Sequence, residues 1–186
     1  MVIGITGSIA SGKSLVTNYL RTKGYKVIDS DKIAHSILDM PTVKAQIYET
    51  FAVDNRAALS KIVFNDKAQL EKLNAIMKPL IIDKLKKEMQ KRHEKIYFVD
   101  APVLYEMNLQ YMFDKVLVVY VDKEAQIVRL MRRDLISREY AIKKISMQID
   151  IESKKELSDF VIDNSQDKDM TYKQIDEILR RLLNEI

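Results

Sequence analysis

Residues 7 to 14 read Gly7-Ser8-Ile9-Ala10-Ser11-Gly12-Lys13-Ser14, directly after the apolar run Met1-Val2-Ile3-Gly4-Ile5-Thr6. A Gly-x-x-x-x-Gly-Lys-Ser stretch between a strand and a helix constrains this chain more than any other eight residues do, because it sets a ligand, a fold and a chain polarity together. Gly7 and Gly12 permit backbone angles and close approaches that a Cβ would block. The N–H groups between them converge on phosphate oxygens, helped by the partial positive charge of the helix that starts there. Lys13 is a mobile charge for the outer phosphates, and the Ser14 hydroxyl is a ligand for Mg²⁺. Val2, Ile3 and Ile5 supply the strand; Leu15, Tyr19 and Leu20 share one side of the helix that follows. Three of the four glycines fall in the first twelve residues. The pattern predicts nucleotide binding by Gly7, Ser8, Ile9, Ala10, Ser11, Gly12, Lys13, Ser14 and Leu15, with ATP and Mg²⁺ as the expected cofactors.

Further apolar runs at Lys26–Ile28, Ile96–Val99, Val116–Val121 and Phe160–Ile162 read as strands. Val116-Leu117-Val118-Val119-Tyr120-Val121 is nearly all apolar, the pattern of a strand buried on both faces, so the expected fold is α/β with a parallel five-stranded sheet flanked by helices. About 65 residues separate the second run from the third, more than one crossover helix requires. They read as helices near Ser30–Leu38, Thr42–Phe51, Arg56–Phe64 and Asp66–Lys91, the last interrupted at Pro79. The final helix shows a capping box in Thr171 and Gln174, then an apolar stripe of Ile175, Ile178, Leu179, Leu182 and Ile186.

In open parallel sheets ligands lie beyond the carboxyl ends of the strands. The runs there end in Asp29-Ser30-Asp31, Asp100-Ala101-Pro102, Asp122 and Asp163-Asn164-Ser165. Asp122, just before a helix, reads as an N-cap. One cap needs one residue, so the Asp29–Asp31 doublet leaves Asp31 for chemistry, as acceptor of a proton from a substrate hydroxyl. Asp100 closes an apolar strand in the position that orients Mg²⁺ or its water.

A chain of 186 residues, 47% hydrophobic, suits one compact domain with small insertions. No run approaches the roughly 18 apolar residues of a membrane span, and the first residues carry no basic leader, so neither a membrane partner nor a signal peptide is expected. Zero cysteines exclude disulfides and thiolate metal sites and fit a cytoplasmic location. His35 and His93 stand far apart and read as surface or packing residues. The net charge of +4 is matched by one segment, where Arg129, Arg132, Arg133, Arg138, Lys143 and Lys144 face only Asp134 and Glu139. So local a patch suits a multiply phosphorylated small molecule better than a nucleic acid; a solvated helix face is the plainer alternative. In space it would close over phosphates as a lid.

These residues resemble one family nearly end to end, the dephospho-CoA kinases, which transfer the γ-phosphate of ATP to the ribose 3′-hydroxyl of dephospho-CoA in the last step of coenzyme A synthesis. The resemblance runs from Gly4–Ser14 through Val27–His35 and the block Asp100-Ala101-Pro102-Val103-Leu104-Tyr105-Glu106 to Gln126–Asp134, Gln148 and Asp159–Asn164. It implies a P-loop core over 1–30, 94–128 and 150–186, a helical acceptor insertion over 31–93 and a basic lid over 129–149. It implies Asp31 as catalytic base, Lys13, Arg132 and Arg138 neutralising phosphoryl charge, Ser14 and Asp100 at the metal, and Asn164 on the adenine side of the cofactor site. The implied partner is dephospho-CoA, and the chain would act as a monomer or weak homo-oligomer. Ser8 and Ala10 stand where the family has glycines, Lys78-Pro79 where it has His-Pro, and Val103 replaces a Leu. The competing readings are another small-metabolite or nucleotide kinase and, from a different class, a GTP-dependent switch, for which the Asn-Lys-x-Asp signature is absent.

Overall fold

Alternation of side chains along a strand and a 3.6-residue period along a helix decide which faces meet. A computed structural model describes residues 1–186, apart from the side chain of Asn65. Among the described residues are five strands, β1 (Val2–Gly7), β2 (Val27–Asp29), β3 (Tyr97–Asp100), β4 (Lys115–Tyr120) and β5 (Phe160–Asp163). They form a parallel sheet in the order β2-β3-β1-β4-β5. β1 is central, so the chain leaves it in one direction for β2 and β3 and later takes β4 on its other side. That reversal opens the crevice beyond the β1 carboxyl end where ligands lie.

The chain divides into two compact units, Met1–Ile28 with His93–Ile186, and Asp29–Arg92. In the first, α1 (Lys13–Thr22) and α9 (Lys168–Asn184) cover one sheet face. Ile3, Ile5, Phe98, Leu117, Val119 and Ile162 from the strands meet Val16 and Leu20 of α1 and Ile175, Ile178, Leu179 and Leu182 of α9. Tyr19 and Tyr172 stack between the two helices at 4.1 Å. α6 (Lys123–Asp134), α7 (Arg138–Ile145) and α8 (Ile151–Glu156) follow β4. The lid boundary expected at 129 therefore falls inside α6.

The second unit is helical: α2 (Ser30–Leu38), α3 (Pro41–Phe51), α4 (Arg56–Asn65) and α5 (Lys67–Gln90). Asp29, Asn55 and Asp66 cap α2, α4 and α5 by accepting from backbone N–H groups of Lys32, Ala58 and Ala68. The break expected at Pro79 is absent, for α5 runs unbroken through it. A proline inside a helix costs about 3 kcal/mol, and burial of Met77, Ile81 and Leu85 on the same stretch offsets it.

Val16, Thr17 and Leu20 are the buried residues of α1, with Leu15 and Tyr19 half-buried. Two local expectations are corrected. Ile186 lies beyond the end of α9 and is half exposed, outside the stripe. The capping box is not formed: α9 starts a turn earlier, capped by Asp167, whose side chain accepts from the Met170 N–H. Gln174 instead accepts from the Asp163 N–H at 2.8 Å and donates to its carbonyl at 2.9 Å, tying α9 to the end of β5.

Candidate active site

The β1–β3 register sets Asp100 beside Ile5, two residues before the loop begins. A carboxylate delivered there meets the lysine that opens α1, and the Lys13 ammonium is ion-paired with Asp100. Both side chains are largely buried, at 16% and 14% exposure, where a charge needs a partner. Ser14, next along α1, is exposed. Asp100 and Ser14 are oxygen ligands, the chemistry that Mg²⁺ takes when most of its other ligands are water and phosphate.

The two loop glycines do different work. A Cβ on Gly7 would lie 2.8 Å from the Val119 carbonyl oxygen and 2.6 Å from Ser11 Oγ, so Gly7 is required by the close pass of β1 against β4. Gly12 has φ +86° and caps α1, and a Cβ there would overlap the Asn164 carboxamide. Both glycines thus let the loop's backbone pass closely against its neighbours, and a loop of backbone N–H groups at a helix N-terminus fits the phosphates of ATP. Ala10, standing where the resembling family has glycine, holds φ +62°, a left-handed conformation without a glycine to ease it.

The expected site residues separate. Lys13, Ser14 and Asp100 gather at the loop. Asn164 is placed behind it: its amide donates to the Ser11 carbonyl at 2.8 Å and its oxygen accepts from the Thr171 hydroxyl at 2.9 Å. It is buried and engaged at both ends. Arg138 lies at the start of α7 with its guanidinium held by both oxygens of Glu124, at 2.6 and 2.7 Å. That carboxylate raises the Arg138 pKa further, and its own is lowered in return. Arg132 is exposed near the end of α6. The arginine at the loop is Arg129, one Nη of which lies 3.8 Å from where a Gly12 Cβ would be. In the sequence Arg129 reads only as one of the lid charges; its spacing of one helical turn from Gln126 is the signal available there.

Gln126 and Gln148 likewise stand out in the sequence only through the family resemblance. Gln126 is buried on α6 and donates to the Ile9 carbonyl at 2.7 Å. Gln148 accepts from the Ile9 N–H at 2.7 Å. Beside it the Ile149 N–H donates to Glu106 at 3.2 Å, and Glu106 also pairs with the fully buried ammonium of Lys154 at 2.6 Å. Lys154 had no sequence signal, since a lysine on a short helix reads as solvated.

In the second unit, Asp29 is the α2 cap and Asp31 stands exposed in the first turn. At the far end of the same helix a pocket of about 450 Å³ opens among Leu38, Ile47, Tyr48, Val53 and Leu59, with Arg56 bonded to Asp39 and to the His35 carbonyl at its edge.

Comparison with known proteins agrees with this geometry. The family model for dephospho-CoA kinase matches residues 1–169. The chain is 40% identical to a dephospho-CoA kinase of Fusobacterium nucleatum, with 95% of each chain covered. It superposes on the dephospho-CoA kinase of Campylobacter jejuni with a TM-score of 0.73 and 31% identity, covering 97% of this chain and 96% of that one. A solved structure from Thermus thermophilus is similar at TM-score 0.85 and 28% identity, over 100% and 97% of the two chains.

Proposed function

Because the chain belongs to the dephospho-CoA kinase family, we propose that it moves the γ-phosphoryl group of ATP onto the ribose 3′-hydroxyl of dephospho-CoA, with its residues dividing the work as follows from their chemistry. The hydroxyl oxygen forms the new bond to phosphorus, the bond from phosphorus to the β-phosphate oxygen breaks, and ADP departs. Asp31 takes the hydroxyl proton as that bond forms. Lys13, with Arg129 beside the loop, meets the charge that spreads over the transferring group, alongside the Arg132 and Arg138 that the family resemblance implies. Ser14 and Asp100 would hold Mg²⁺, which when bound neutralises β- and γ-phosphate oxygens. The apolar pocket at the far end of α2 gives room for the pantetheine arm, since the same helix carries Asp31 at its other end. This work belongs in the cytoplasm, where ATP is available.

The observation that carries the reading is the Lys13–Asp100 pair beside a loop whose two glycines admit no Cβ. The test is a coupled assay with ATP and Mg²⁺, offering dephospho-CoA beside adenosine and AMP. Turnover of dephospho-CoA should exceed that of either rival; equal rates on AMP would reassign the acceptor. Asp31→Asn should lower kcat by about 10²–10⁴, the usual contribution of a general base, while ATP affinity stays put. An unchanged kcat would remove Asp31 from the role.

A further inference from the structure

A backbone cradle for phosphate must show N–H groups to the anion and turn its carbonyls away. In a trans peptide the C=O of one residue and the N–H of the next point in opposite directions. Holding a carbonyl from behind therefore aims the following N–H forward. Two buried carboxamides do this here: Gln126 donates to the Ile9 carbonyl and Asn164 to the Ser11 carbonyl. The N–H groups turned the other way are those of Ala10 and Gly12, and both of these residues hold positive φ. The Ile9 N–H is taken out of the cradle by Gln148, while the Ser8 carbonyl before it accepts from the Ser11 N–H at 3.0 Å.

The same loop is pinned by packing. Ile9 and Ala10 lie against the cluster of Ile127, Leu130 and Ala141, with Met131, Ile136 and Ile145 around it, so α6 and α7 grip the loop as well as hydrogen-bonding to it. Arg129 sits on α6 one turn from Gln126, which places its charge and the loop's peptide planes on one rigid support. Gln148 is itself steadied, because the neighbouring Ile149 N–H is held by Glu106 and Glu106 by Lys154.

We propose that Gln126, Asn164 and Gln148 are positioning residues for the phosphates of the nucleotide: their carboxamides fix the peptide planes at Ile9 and Ser11 so that the Ala10 and Gly12 N–H groups face the anion. The inference rests on the nucleotide site described above and is indifferent to the acceptor. It accounts for a phosphate loop that holds Ala10 at φ +62° where the family has glycine. Glycine enters that conformation without a Cβ penalty; here three side chains from distant parts of the chain hold it.

The test uses Mg²⁺ and ADP as the probe, with full-length protein. Gln126→Met keeps the bulk and removes the donor; Asn164→Leu does the same behind Ser11; Gln148→Met removes the acceptor for Ile9. Each should weaken ADP binding by about tenfold, the scale of one lost hydrogen bond, and leave dephospho-CoA affinity unchanged. The decisive readout is the amide spectrum. On adding ADP to the unaltered protein, the Ala10 and Gly12 N–H resonances should move downfield. In Gln126→Met the Ala10 shift should be lost and the Gly12 shift kept; in Asn164→Leu the reverse. ADP affinities within twofold of the parent, or Ala10 and Gly12 shifts that survive both substitutions, overturn the proposal. Should Asn164→Leu fail to fold, Gln126→Met and Gln148→Met decide it through affinity and the Ala10 resonance. If the unaltered protein bound no ADP, the nucleotide site itself would be at fault, a separate outcome from any loss confined to the variants.

Discussion

Adding one methyl group at residue 12 tests whether the loop is held as described. Gly12 has φ +86°, and a Cβ there overlaps the Asn164 carboxamide. An L-residue in the left-handed region costs roughly 1–2 kcal/mol. To admit the methyl, Asn164 must also leave its bonds to Ser11 and Thr171, each worth about 1 kcal/mol. Gly12→Ala should therefore destabilise the fold by about 3–4 kcal/mol, which for a chain of this size is on the order of 10 °C in Tm. Asn164→Ala alone forfeits the same two bonds, about 2 kcal/mol. In the double variant the overlap is gone and only the backbone cost adds to the lost bonds. Its total should again be about 3–4 kcal/mol, rather than the 5–6 of independent effects, a coupling of about 2 kcal/mol. Urea unfolding of the four proteins, followed by circular dichroism, measures every term. Additive free energies, or a Gly12→Ala variant within 1 kcal/mol of the parent, would show that Asn164 does not back the loop.

Three further outcomes follow from charges in fixed places. Lys13→Ala should cut kcat by about 10²–10³, because it deletes charge matched to the transition state; single-turnover kinetics would reveal it, and a loss confined to KM would contradict it. Lys154→Met should cost about 3–5 kcal/mol by stranding Glu106, while the double change Lys154→Met with Glu106→Leu should recover most of that, as denaturant titration would show. Asp134, bonded first to Arg133 and also to Lys144, titrates at about 2, below its ordinary value of 3.8. A depressed carboxylate stabilises the fold fully above its unfolded pKa, and that contribution fades as pH falls from about 4 through 2. Tm measured across pH 2–6 should accordingly differ between the parent and Asp134→Asn above pH 4 and converge near pH 2.

What the sequence revealed and what it hid divide by the distance over which each signal acts. The strands were legible because a buried parallel strand is a contiguous apolar run: β4 at Lys115–Tyr120 and β5 at Phe160–Asp163 lie within a residue of their expected bounds. Caps were legible where one side chain serves its own helix, as with Asp122, which accepts from the Ala125 N–H. The capping box at Thr171 and Gln174 failed because the same side chains had tertiary partners, Asn164 and Asp163, that no local pattern announces. Arg129 was indistinguishable from Arg132 and Arg138 by type; only the way α6 lies against Gly12 separates them. The partners of Ile9 and Ser11 lie between 117 and 153 residues away, and they meet only because β1 sits between β3 and β4 in the sheet. The loop's missing glycines were visible from the start, and so were Gln126, Gln148 and Asn164. Sheet order is the step that makes them one fact, since Ala10 holds a left-handed conformation that an L-residue disfavours, and side chains from elsewhere in the fold hold the peptides on either side of it.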